Sequence, residues 1–294
     1  MGAIRVVSHQ IHPFAHSAPR SVDEVIPLLQ QDPEGTRLMA GGTDLIGAMR
    51  TGGERPARVV SLKGIPELKD IGANGSELGI GALSTIQSLL QSPLIAERCP
   101  ALRDSTIDFA TPQIRRMATV GGNICWSSPS ADTVPPLLAF DAELELVGAQ
   151  GVRSLALEDF FTGAGSNRLD RVVLTQIRVP LPEGRVGSAY QKLARASSDI
   201  AQIGCAVRIC VTGDRCEDVR IALGAVADRP IRARGAEGIL RGQQLSGGTL
   251  EAAARKVREE ISPITDVRAS ASWRSHVSAV LTRRMLELAI QRAA

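Results

Sequence analysis

The sequence predicts an α+β fold in two parts, and three observations carry this. Strand-like and helix-like stretches mix along the first half without a clean βαβαβ rhythm. Two prolines and two glycines crowd "VPLPEGRVGS" at 179–188, a composition expected of a linker. Beyond it, strand-like runs come first and helical runs follow. The expected division is residues 1–180 and residues 187–290.

The elements follow from local pattern. Ser21 and Glu24 are spaced as a capping box, and Val22, Val25, Ile26 and Leu29 make a helical stripe. "RLMA" (37–40) reads as a short buried strand and "TDLIGAMR" as a helix of a turn or two. Strands are expected at 57–62 and 77–83, then a helix after Ser84. "LIAERCPALRDSTIDFA" reads as helical with a break at Pro100. "AELELVG" (142–148), "VRSLALEDFF" and "RVVLTQIRVPLP" read as further strands. In the second part "SAYQKLAR", "IAQIGCAVRICV" and "CEDVRIALGAV" read as consecutive strands. "RARGAEGILRG", "LEAAARKVREEI" and "SWRSHVSAVLTRRMLELAI" read as helices. The last carries Val277, Val280, Leu281, Met285, Leu288 and Ala289 on one face.

Composition excludes several classes of function. At 294 residues the chain can bury two cores, and its 44% hydrophobic and 22% charged residues are ordinary for a globular protein. Aromatic residues make up only 3%, so the cores must be aliphatic and platforms for stacking bases are scarce. A balance of 34 basic against 31 acidic residues is too even for a nucleic-acid or membrane-surface partner. The pairs Arg115-Arg116 and Arg283-Arg284 are expected on solvated helix faces. No apolar run approaches the roughly 20 residues of a membrane span. The first residues lack an apolar signal core, so a cytoplasmic protein is expected.

Cys99, Cys125, Cys205, Cys210 and Cys216 are odd in number and scattered, unlike a disulfide framework. Cys205 and Cys210 fall in an apolar, β-branched run and are expected as small buried hydrophobes rather than metal ligands. Three of the four histidines, His9, His12 and His16, lie near the N-terminus, and the fourth is His276. Pro13 spoils a helical pairing of His12 with His16, and a solvated tail is expected.

Two glycine motifs carry the chemistry. Gly41-Gly42-Thr43 sits between a strand and a helix. There a missing Cβ lets backbone N–H groups approach an anion. Taken singly, such a turn is more often structural. "MATVGGNI" supplies a second, Gly121-Gly122 after Thr119 with Asn123 behind. Two such turns can hold the two halves of one pyrophosphate, which favours a nucleotide-bearing cofactor. The sequence has no G-x-x-x-x-G-K-[ST] phosphate loop. "GIGALS" (79–84) and "GAGSNR" (163–168) each lack the third glycine of a Rossmann fingerprint. G-x-S-x-G is absent, and no side chain reads as an activated nucleophile.

These motifs resemble those of a known family. "AGGTDLIGAMR" (40–50) and "ATVGGNICWSSPSADTVPPLLAFDAELEL" (118–146) resemble the FAD-binding medium subunits of molybdenum hydroxylases, of the CO dehydrogenase and xanthine dehydrogenase types. "YQKLARASSDIAQIGCAVRI" (190–209), "RIALGAVADRPIRARGAEGIL" (220–240) and "DVRASASWRSHVSAVLTRRML" (266–286) extend the likeness over nearly the whole chain. The resemblance implies a two-lobed FAD-binding domain of the PCMH type followed by a small α+β domain. It implies noncovalent FAD and electron transfer as the function.

Residue by residue, the resemblance implies that Ala40, Gly41, Gly42, Thr43, Asp44 and Leu45, with Thr119, Val120, Gly121, Gly122 and Asn123, cradle the pyrophosphate through N–H groups and threonine hydroxyls. Asp132 would accept from ribose or neighbouring hydroxyls; a helix N-cap is the alternative reading of that residue. Phe109 would pack on the adenine side. Cys125 and Leu174 (or, one position on, Thr175) would flank the isoalloxazine, and Lys192 would lie near the flavin or its phosphates. Trp126 is bulkier than the family motif leads one to expect. The cysteine-rich [4Fe–4S] insert of some members is missing, so FAD is the cofactor expected in this chain. Implied partners are a large molybdenum-cofactor subunit and a small [2Fe–2S] subunit, in a heterohexamer that is a dimer of heterotrimers, with an external electron acceptor. A freestanding flavin oxidoreductase and a noncatalytic nucleotide-binding scaffold are the competing readings.

Overall fold

A computed structural model describes residues 11–293. His9, one of the tail histidines, lies outside the described residues. The first lobe is a three-stranded parallel sheet in the order Ala15–Ser17, Arg58–Ser61, Thr36–Met39. Helix Val22–Gln31 joins its first two strands in sequence. Ser21 accepts from the Glu24 N–H, but the Glu24 carboxylate takes the Arg20 N–H instead of completing the box. His12 and His16 are exposed, as expected of a solvated tail, and Ala15–Ser17 pairs with Arg58–Val60 as an edge strand.

The second lobe is a five-stranded antiparallel sheet, ordered Ile71–Asn74, Glu77–Gly81, Val173–Pro180, Glu143–Gly148, Gly151–Ala156. Its buried face carries Leu78, Ile80, Leu144, Leu146, Ile177 and Val179. These pack against short helices, Ile86–Gln91, Pro93–Arg98, Pro100–Ile107 and Val134–Ala139. Each helix in the chain "STIQSLLQSPLIAERCPALRD" starts with a hydroxyl cap or a first-turn proline, so the run breaks into pieces. "VRSLALEDFF" is not one strand: it turns into the helix Leu157–Phe160 where Glu158 and Asp159 favour a first turn.

The chain leaves this sheet at Pro180 and enters the next at Arg185. That third sheet is antiparallel, ordered Arg185–Leu193, Ile203–Thr212, Arg215–Gly224, Ile231–Arg232. Helices Arg234–Leu240, Gly247–Glu260 and Ala271–Ala293 cover one face. On the long helix Leu281, Met285 and Ala289 are buried as expected, whereas Val280 is exposed. Gly187 touches that helix so closely that a Cβ would meet the Ala289 carbonyl at 1.9 Å. Cys205 and Cys216 are fully buried in this aliphatic core. The other face packs on Val134–Ala139, and Ala206, Ala222 and Tyr190 join the second lobe's core.

Candidate functional site

A cleft of about 710 Å³ opens between the two lobes. Its floor is the stretch from Thr36 through Leu45, a strand running directly into the first Gly-Gly turn. Gly42 has φ +83°, a left-handed conformation that glycine adopts without strain. Among the described residues, none of the N–H groups of Gly41, Gly42, Thr43, Asp44 and Leu45 donates to another protein group. Five consecutive free donors facing a cleft form an anion site. Asp44 stands at its rim. Partial burial pushes the Asp44 carboxyl above its ordinary range, against the pull of the Thr43 hydroxyl 3.5 Å away.

The second Gly-Gly turn lies against the first. A Cβ on Gly41 would meet the Met117 carbonyl oxygen at 2.1 Å, and one on Gly122 would come within 3.9 Å of the Ala40 Cβ. Its own donors are committed elsewhere. Val120 N–H donates to Ser84 O (3.0 Å), Gly121 N–H to Ala82 O (2.9 Å), Gly122 N–H to Thr119 Oγ1 (3.0 Å) and Asn123 N–H to Thr119 O (2.9 Å). The expectation of two rows of free donors is therefore corrected. Residues 120–123 form the first turn of helix Val120–Cys125, hydrogen-bonded to Ala82 and Ser84, just past strand Glu77–Gly81, and to Thr119. That turn lets the glycines approach the cleft and leaves Thr119 Oγ1 with a proton to donate. The Asn123 side chain accepts from Thr133 (2.7 Å) and ties the helix to its successor.

One wall is apolar. Leu174, Cys125 and Trp126 line it, the last still 42% exposed. A bulge between Leu174 and Gln176 sets the choice left open in the sequence: Leu174 faces the cleft, while the Thr175 hydroxyl donates to Glu145 Oε1 (2.7 Å). Burial pushes the Cys125 thiol up to about 12, so it is a packing group and not a thiolate. Asn167, on the hairpin Phe161–Asn167, donates to Cys125 O (2.8 Å) and Ser127 Oγ (2.7 Å) and holds the wall upright. Phe109 also lines the cleft. Its loop is fixed by Arg115, which donates to Phe109 O (2.9 Å) and Ala110 O (3.0 Å); this corrects the reading of Arg115 as a solvated helix residue.

Asp132 and Lys192 are brought together, but neither lines the cleft. Lys192 Nζ donates to Asp132 Oδ2 (2.7 Å) and Asp199 O (3.0 Å), and Tyr190 Oη donates to Asp132 Oδ1 (3.1 Å). The pair is buried where the third sheet meets the second lobe. Burial pushes the Asp132 carboxyl above its usual range, against the pull of Lys192. No N-cap bond by Asp132 occurs, and helix Val134–Ala139 starts at Thr133 without a side-chain cap.

Sequence reasoning missed Thr36, Arg37 and Glu54, which line the cleft beneath the strand, and Asn167 and Arg115, which support its walls. They act through contacts distant in sequence.

A row of free N–H donors, two interlocked Gly-Gly turns and an adjoining apolar wall define a cleft for a pyrophosphate-bridged cofactor with a flat ring. Comparison with known proteins gives the same class. Residues 12–182 match the FAD binding domain in molybdopterin dehydrogenase, and residues 188–289 match the CO dehydrogenase flavoprotein C-terminal domain. The carbon monoxide dehydrogenase medium chain of Afipia carboxidovorans is 34% identical over 95% of this chain and 98% of its own length. A putative xanthine dehydrogenase FAD-binding subunit of Escherichia coli is 34% identical over 92% and 94%. The carbon monoxide dehydrogenase structure from Hydrogenophaga pseudoflava superposes with a TM-score of 0.94 at 33% identity, covering 97% of this chain and 100% of the matched one. The chain belongs to the FAD-binding medium subunits of the molybdenum hydroxylases, and is an oxidoreductase subunit whose cofactor is FAD.

Proposed function

We propose that this chain is the electron-transfer subunit of a molybdenum hydroxylase, carrying electrons from [2Fe–2S] clusters of a small partner to an external acceptor, while a large partner holds the molybdenum cofactor. The observation that supports this most is the Gly41–Leu45 donor row opening on a cleft with an apolar wall. The relatives are medium chains or FAD-binding subunits by name, which supports large and small partners. FAD, when bound, accepts and releases electrons singly or in pairs. The chain's own residues position and shield. The free N–H groups of 41–45 and the Thr119 hydroxyl would hold the pyrophosphate, and Leu174, Cys125 and Trp126 would exclude water from the ring. Nothing in the cleft is arranged as a general acid or base for substrate chemistry, in keeping with substrate oxidation in the large partner.

Purified protein is expected to be yellow, with flavin absorption bands and FAD released by acid. A colourless protein that refuses added FAD would sink the reading. Gly122→Asp places a carboxylate where the two turns meet, and Gly42→Asp crowds Met39 and Ile46 and forces a left-handed backbone on a side chain beside the donor row. Both variants are expected to lose flavin. Full flavin content in both would refute the cradle. Co-elution of the native protein with molybdenum and iron on size exclusion separates a partnered subunit from a freestanding flavoprotein.

A further inference from the structure

We propose that the Trp126 indole stacks on the isoalloxazine of bound FAD; the inference rests on the FAD reading above. The chain holds 5 Phe, 2 Trp and 1 Tyr, and of these Phe109 and Trp126 line the cleft. Phe109 packs against the core of the second lobe. Trp126 does not: among the described residues it joins none of the hydrophobic cores, and it is 42% exposed. An indole left in water forgoes the burial that its large apolar surface would otherwise gain. Trp126 borders the cleft with surface still open, so a flat ligand there can supply that burial.

The backbone that carries this indole is fixed. Trp126 follows helix Val120–Cys125 and donates its N–H to Gly122 O at 3.0 Å. Ser127 comes next at φ +55°, a left-handed conformation that few residues other than glycine adopt. The hairpin Phe161–Asn167 holds it there. Gly165 N–H donates to Ser127 O (3.0 Å), and the Asn167 amide donates to Cys125 O (2.8 Å) and Ser127 Oγ (2.7 Å). An aromatic side chain on so restrained a backbone loses little further freedom when a ring arrives. Cys125 and Leu174 continue the same wall. Together the three present a run of apolar surface that suits the three fused rings of isoalloxazine better than adenine. The indole adds a face that stacks offset on a flat ring.

The test uses the full-length protein with the variants Trp126→Phe and Trp126→Ala. Emission of the bound flavin, excited in its own visible band, reads contact, because an indole in contact with a flavin quenches its fluorescence and a phenyl ring does so weakly. FAD affinity is read by titration, and apo stability by thermal melting. Bound flavin is expected to be dim in the wild type and several-fold brighter in both variants. Trp126→Ala is expected to weaken FAD binding about tenfold, the scale of one lost stacking contact. Trp126→Phe is expected to keep most of the affinity while still brightening the flavin. Both apo variants are expected to melt at the wild-type temperature, since the indole belongs to no core. Equal flavin emission in wild type and Trp126→Ala would overturn the proposal. So would weaker binding with unchanged emission, which would place the indole away from the isoalloxazine. A lower apo melting temperature in both variants would overturn it too, by showing that the indole is spent on the fold. Failure of the wild-type chain to bind FAD would overturn the FAD reading, and this proposal with it.

Discussion

Lys192 and Asp132 show how a residue's neighbours decide its work. The family resemblance implies a cofactor role for both, and the fold pairs them with each other in a nearly dry site, with side chains 5% and 9% exposed. Removing one partner of such a pair leaves a buried charge uncompensated. Lys192→Met is expected to destabilise the protein by about 3 kcal/mol at neutral pH, measured by urea unfolding. The sign of its pH dependence follows from Asp132, whose folded pKa already lies above its unfolded value. In the variant the penalty is absent below the ordinary carboxylate range and grows as pH rises toward the raised value. A penalty that shrinks on going from pH 4 to pH 8 would contradict this account. The sequence marked these two residues as special, because a resemblance preserves residue identity. It did not place them, because burial and pairing depend on strands that meet only after folding.

At the scale of elements, the hairpin Phe161–Asn167 is the part least visible in sequence. "FTGAGSN" reads as loop, since its two strands are 3 and 2 residues long and lack alternation. Its importance lies in one side chain, Asn167, whose amide bonds Cys125 O and Ser127 Oγ across 42 and 40 positions of sequence. Ser127 itself is held at φ +55°. Asn167→Ala removes the donor to Ser127 Oγ and leaves Cys125 O with only the longer bond from the Ser127 hydroxyl (3.4 Å), and is expected to cost about 2 kcal/mol of stability. The apolar wall should also loosen, seen as weaker FAD retention. Unchanged FAD content and melting temperature would show that the hairpin does not support the wall. By contrast the Gly-Gly turns were legible as a pair: either alone is more often structural, but two in one chain can hold the two halves of one pyrophosphate. Their difference was not legible: which turn keeps free donors depends on Ala82, Ser84 and Thr119, which capture the donors of the second.

At the scale of the whole molecule, ionic contacts add to the apolar packing between the second lobe and the C-terminal sheet. Asp141, at φ +51° after helix Val134–Ala139, reaches Arg208, Arg220 and Arg232. Asp218 bonds Arg208 at 2.8 Å and also Arg220 and Arg241. Burial pushes the Asp218 carboxyl up, but Arg220 and Arg208 hold it below its usual range on balance. A lowered folded pKa gives stability that is present above the unfolded value, about 3.9, and is lost as pH falls through the folded value. Acid is therefore expected to weaken these pairs within the C-terminal sheet below about pH 4. Asp218→Asn should flatten that acid limb in a pH series of melting temperatures. An unaltered limb would exclude Asp218 as its source. Among the described residues no helix is long and apolar enough to cross a membrane.

By itself the sequence determined the fold class, most of the strands and helices, and the pair of glycine turns that point to FAD. These depend on local periodicity, on glycine's freedom and on proline's constraint, all properties of residues close in the chain. Tertiary structure alone decided that only the first turn keeps free donors, that Leu174 and not Thr175 faces the cleft, and that Asp132 and Lys192 pair away from it. Each of these is a question of which distant group takes a given donor, acceptor or charge, and that is settled when the sheets close on one another.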